Sequence, residues 1–151
     1  MIAVVVLLCS LAFLCYFIYS WVSCYMKKPR VLLALRDASL LADVSRLLTN
    51  QGFASFSVRS RAELDLQLRA GLATLLSEPT FAELGTPEAI AKLRNDPKLT
   101  DLPIVLVAST SQAGLANLGI EAGADDVFSL PFNEAMVISK LRRLAQRQAN
   151  A

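Results

Sequence analysis

The sequence predicts an α/β domain built on a doubly wound parallel sheet and preceded by one membrane-spanning helix. Two patterns carry this reading. Residues 2–26 hold no charge, and only Ser10, Ser20 and Ser23 break their apolar run. Beyond them, five short apolar runs alternate with five segments whose apolar residues recur at helical spacing. That is the pattern of strands buried on both faces and covered by helices. The chain divides into a transmembrane helix (1–26), a basic juxtamembrane linker (27–30), the α/β domain (31–148) and a short tail (149–151).

About 20 apolar residues cross the hydrocarbon core of a bilayer as a helix, so the first segment is long enough with tilt to spare. A secretory signal peptide starts with basic residues and ends in a small-x-small cleavage site. Here no basic residue precedes the run, and its end, Trp21-Val-Ser-Cys-Tyr-Met26, is bulky. An uncleaved anchor is therefore expected, ahead of a lipoprotein-type signal ending at Cys24. Lys27, Lys28 and Arg30 follow directly. Lysine and arginine mark the cytoplasmic side, which puts the N-terminus outside and the domain in the cytoplasm, at the inner membrane. Trp21 and Tyr25 fall where amphipathic aromatics sit among headgroups. Cys9, Cys15 and Cys24 are the only cysteines. They read as small lipid-compatible side chains, with palmitoylation or an interhelix contact as the functional alternative. The domain has none, in keeping with a reducing compartment.

Within the domain, Val31 to Leu35 reads as a buried strand, and Leu40, Leu41, Val44, Leu47 and Leu48 as a helix closed by Gly52. Phe53 to Val58 is the second strand. Ser60-Arg-Ala-Glu63 is a capping box opening a helix through Leu64, Leu66 and Leu68. Leu72 to Leu76 is the third strand. Thr86-Pro87 supplies a cap and then proline at the first helical position, for a helix running to about Asn95. Ile104 to Val107, a helix from about Gln112 to Ala122 closed by Gly123, Val127 to Ser129, and a final helix capped by Asn133 and ending near Arg147 complete the series. At this length the natural solution is the flavodoxin-like (βα)5 order 2-1-3-4-5.

Composition narrows the function. There is no histidine, which removes the commonest general base and metal ligand. With no cysteine in the domain either, no metal site is expected. Fifteen lysines and arginines stand against 13 acids, and three of the bases are in the linker, so no nucleic-acid footprint is expected. Neither a G-x-G-x-x-G fingerprint nor a phosphate-loop lysine is present. No cofactor and no enzymatic activity are expected.

Several local signatures together resemble a response-regulator receiver domain over residues 31–148. They are Val31-Leu-Leu-Ala, Lys92-Leu-Arg-Asn-Asp-Pro97 followed by Leu102-Pro-Ile-Val-Leu-Val107, and Glu121-Ala-Gly-Ala-Asp-Asp126 followed by Pro131-Phe132. The resemblance implies a pocket in which an aspartate accepts a phosphoryl group from a histidine kinase beside a magnesium held by two further carboxylates. A hydroxyl and a lysine would contact that group. In this chain the acidic pair falls on Leu35 and Arg36, with Asp37 one place later. Counting back from Gly85, the acceptor falls on Ser77, with Glu78 next to it. The hydroxyl falls on Ala108, with Ser109 adjacent, and the lysine on Leu130. The aromatic switch position falls on Val127, beside Phe128. Without clustered carboxylates, magnesium has no reason to bind. By the same resemblance the Leu130–Pro131 bond is expected to be cis.

The expectation is a membrane-anchored pseudo-receiver, a non-catalytic interaction or scaffold module or an accessory subunit of a bacterial membrane complex. Its partners would be other membrane or cytoplasmic proteins and the lipid bilayer. The alternative is a phosphorylatable, membrane-tethered response regulator. Receivers dock partners with the face of their fourth helix, fifth strand and fifth helix, which directs attention to Leu115, Leu118, Val127 and Phe128. The short linker also implies that the strands begin near the membrane. The final helix would then return Arg142, Arg143 and Arg147 toward headgroups, where each base contributes roughly 1 kcal/mol, or would simply complement its own macrodipole.

Overall fold

The computed structural model describes residues 1–25 and 28–150. Helix α1 (Ile2–Tyr25) is 24 residues long, about 36 Å at 1.5 Å per residue. Its Ile2–Val22 span has a mean hydropathy of 2.6 and none of it is buried. It is long and apolar enough to cross a membrane.

Five strands follow: β1 (Arg30–Ala34), β2 (Ala54–Ser57), β3 (Ala73–Ser77), β4 (Ile104–Ala108) and β5 (Asp126–Ser129). All pair in parallel, in the order β2-β1-β3-β4-β5, as the alternation of elements predicts. Helices α2 (Ala38–Asn50), α3 (Arg61–Arg69), α4 (Pro87–Asn95), α5 (Ala113–Ala122) and α6 (Glu134–Ala149) connect and cover the strands.

Strand alternation sends successive side chains to opposite faces, and two cores result. Val31, Leu33, Val105, Val107 and Phe128 pack with Val44 and Leu48 of α2 and Val137 and Leu141 of α6. Leu32, Leu75, Ile104 and Leu106 pack on the other face with Leu64 of α3, Ile90 and Leu93 of α4 and Ala116 of α5. Every residue of β3 and β4 is buried, which is why those runs show no polar alternation. Each fully buried leucine or isoleucine contributes roughly 1.5–3 kcal/mol.

The helix starts use the side chains that the sequence offers. Ser60 accepts from the Glu63 amide, while Glu63 reaches back one residue beyond the cap to the Arg59 amide at 2.7 Å. Thr86 caps α4 through the Ala89 amide, and Asn133 caps α6 through the Met136 amide. Gly52 adopts φ 84° just past α2, the left-handed conformation that a helix end takes readily only with glycine.

Boundaries shift by a residue or two from those expected. Phe53 and Val58 flank β2 as buried plugs and are not part of it. The segment before α5 is a 3-10 turn at Thr110–Gln112, in which the Gln112 side chain accepts from the Ser109 amide at 3.0 Å. The Leu130–Pro131 bond is cis.

Candidate functional site

The C-terminal ends of the strands form the edge at which a doubly wound sheet presents its chemistry. Register aligns Ala34 with Ser77 and Ala108 with Ser129 there. At the end of β1, Leu35 is buried. Arg36 is exposed and makes no hydrogen bond or ion pair among the described residues. The Asp37 carboxylate is engaged as the cap of α2, accepting from the Ser39 amide at 2.8 Å and the Leu40 amide at 3.3 Å. A carboxylate so held is aimed at the helix start, where it neutralises orphan amides.

At the end of β3, Ser77 is fully buried, and its hydroxyl donates to the Leu84 carbonyl at 3.0 Å. The loop that follows is closed on itself. The Glu78 amide donates to the Ala34 carbonyl at 3.1 Å, and the Glu78 carbonyl accepts from Phe81 at 3.0 Å. A Cβ at Gly85 would lie 1.7 Å from that same Glu78 carbonyl oxygen, so the loop admits only glycine there. Glu78 is itself largely buried.

At the ends of β4 and β5, Ala108 is buried, and its carbonyl accepts from the Leu130 amide at 2.9 Å. Leu130 leans on the core under α2 and α6. Phe128 points inward and is fully buried, with the Lys140 ammonium 5.7 Å from its ring centre and 2.8 Å from Asp126. Phe128 is therefore core and cannot meet a partner. Alternation along β5 turns it toward α6 and leaves its neighbour Val127 half-buried against the other core. On the partner-face region, Leu118 is 51% exposed and Leu115 half-buried. Among the described residues, no three acidic, histidine or cysteine groups gather closely enough to hold a metal ion.

Sequence reasoning missed one cluster, centred on Arg94 at the end of α4. Its guanidinium donates to the carbonyls of Gly123, Leu99, Thr100 and Leu102, and to Asp125 at 2.8 Å. Asp125 also accepts from the Ile104 amide at 2.8 Å. This clamp joins the loop before β4 to the turn before β5. A lone arginine among the bases of a helix gives no sign of this in the sequence.

Of the juxtamembrane residues, Trp21 is exposed, whereas the Tyr25 side chain and Lys27 lie outside the described residues. Arg30 is occupied within the domain. It donates to the Gln67 and Gly71 carbonyls and to the Gln67 side chain, and lies 5.0 Å from the Phe56 ring centre. Arg142 donates to the Gln51 carbonyl at 3.2 Å, while Arg143 and Arg147 remain exposed.

Known structures share this architecture. A signal receiver domain of a two-component response regulator from Bacteroides fragilis superimposes with a TM-score of 0.65 at 22% identity, over 78% of this chain and 98% of its own. The receiver domain of a sensor histidine kinase from Pseudomonas aeruginosa PAO1, solved with magnesium in its active-site cleft, does so with a TM-score of 0.67 at 17% identity, over 79% and 98%. The domain has the response-regulator receiver fold. A curated relative, a CpxR-homologous transcriptional regulatory protein of Haemophilus influenzae, is 25% identical over 121 residues, 80% of this chain. The chain spans about half (52%) of the length of that relative. No family model matches the chain. At the strand ends of this receiver fold, Ser77 is turned into its loop, Asp37 is turned into a helix cap, and Ala108 and Leu130 are apolar.

Proposed function

We propose that this protein is a membrane-anchored pseudo-receiver, a non-catalytic docking or scaffold module at the inner membrane, with its domain in the cytoplasm. The observation that carries the reading is the buried Ser77 hydroxyl bonded to the Leu84 carbonyl. Phosphoryl transfer to a receiver requires a carboxylate nucleophile facing solvent and a divalent cation beside it. Here the position holds a hydroxyl that faces the backbone. The nearest candidate for a metal-binding acid, Asp37, accepts two helix amides in its place.

The test is intact-mass spectrometry of the full-length chain in detergent after incubation with acetyl phosphate and magnesium. No mass gain is expected. A gain of one phosphoryl group would favour the phosphorylatable regulator instead, and Glu78, beside Ser77, would be the first residue to map. A pull-down of the full-length protein, with Leu118→Asp as the comparison, tests docking. Loss of a partner with that variant is the expected result.

A further inference from the structure

The opposite edge of the sheet, where the strands begin, carries a groove of about 930 Å3. Its floor includes Leu99 and Leu144, both buried, and its lip holds Leu72, 64% exposed. Lys98, Arg143 and Arg147 line it as well, and none makes a salt bridge among the described residues. Two acids share the lining, Asp101 and Asp125, and the second is already neutralised by Arg94. The helix C-termini at this edge carry negative partial charge. The bases nearest them, Arg30 and Arg94, are bonded to carbonyls there, which leaves the three groove cations for an external anion.

Covalent reach bears on where that anion would come from. Four residues separate Tyr25, the last residue of α1, from Arg30, the first of β1. The five Cα-to-Cα steps between them span at most about 18 Å. Because all strands run in parallel, the whole starting edge lies on the side of the domain to which α1 is tied. If α1 crosses a bilayer, as read above, the groove opens toward the headgroups on which that helix ends.

We infer that this groove docks the domain onto anionic phospholipid. Lys98, Arg143 and Arg147 pair with headgroup phosphates, and Leu72 enters the acyl boundary. The inference rests on the membrane reading of α1 and adds a fixed orientation, with the vestigial pocket turned away from the lipid and toward the cytoplasm.

Hydrogen exchange of the full-length chain in nanodiscs tests this, with phosphatidylcholine alone against a phosphatidylcholine–phosphatidylglycerol mixture. Segments 71–73, 97–102 and 143–150 are expected to exchange more slowly in the anionic discs. The slowing should fall by at least roughly fivefold for each cation reversed among Lys98→Glu, Arg143→Glu and Arg147→Glu, and should also fall in Leu72→Asp. Arg36→Glu, at the far edge of the sheet, should leave it unchanged. Equal exchange in both discs, or slowing that survives reversal of the three cations, overturns the groove as a lipid site. Co-purification with the discs reports insertion separately. A chain that never enters them overturns the membrane reading and the groove together.

Discussion

The hydroxyl of Ser77 donates to the carbonyl of Leu84, 3.0 Å away and seven residues on, at the buried end of the third strand. This bond ties the strand to the far side of its own loop. A carboxylate placed at this position would therefore meet the backbone of its own loop. In Ser77→Asp the new charge would sit in the space of a small hydroxyl, against a carbonyl oxygen that repels it. We expect the variant to lose about 2–4 kcal/mol of stability and to gain no phosphoryl group from acetyl phosphate. Urea unfolding and intact mass check the two parts. Ser77→Ala should cost only about 1 kcal/mol.

Gly85 and Gly114 separate a required glycine from a tolerant one. A Cβ at Gly85 would collide with the backbone carbonyl of Glu78, whereas nothing lies within 4 Å of a Cβ at Gly114. Backbone cannot rotate away as a side-chain tip can. Gly85→Ala should therefore cost about 3 kcal/mol or more, measured by thermal unfolding. Gly114→Ala, near the start of α5, should be about 0.5 kcal/mol more stable through helix propensity alone.

Much of this fold was legible because its signals are local and physical. The largely apolar runs around Leu75 and Leu106 give away strands buried on both faces, and Ser60, Thr86 and Asn133 announce helix starts. Parallel order then follows from alternation. The candidate site was legible only as a set of residue types at the strand ends. That Asp37 would turn into the helix cap, or that Ser77 would face Leu84, depends on backbone directions that spacing does not encode. Phe128 and Val127 show the same limit: one residue of phase decides which of them is core. Arg30 reads as a juxtamembrane base in the sequence, and only the fold brings the end of α3 within its reach.

Arg94 is the residue whose loss should hurt most among the charged ones. Its side chain is 18% exposed and meets four carbonyls and a carboxylate. Arg94→Met keeps the stem against its neighbours but orphans those acceptors together. A loss of about 3–5 kcal/mol is expected. Arg94→Lys should recover only part of it, because an ammonium cannot reproduce the planar fork. A double variant with Asp125→Asn should lose less than the two single losses added, since the groups form one network. Denaturant midpoints of the four proteins measure this coupling.

Acid should act on the domain through Asp96. Its carboxylate accepts from the Lys98 amide at 2.9 Å and from Arg61 at 2.6 Å. The Lys98 amide bond is the largest cause that holds its pKa below the ordinary value, and with help from the Arg61 guanidinium it outweighs the opposing effect of burial. A carboxyl whose folded pKa is depressed stabilises the fold above the unfolded pKa, and that stability is lost as pH falls through the folded pKa. The contribution should therefore be complete at neutral pH and decline below about pH 4. Asp96→Asn cannot titrate, so the stability gap between wild type and variant should narrow steadily across that acid range. A gap that stays constant from pH 7 to strong acid would show that the ion pair with Arg61 contributes nothing in solution.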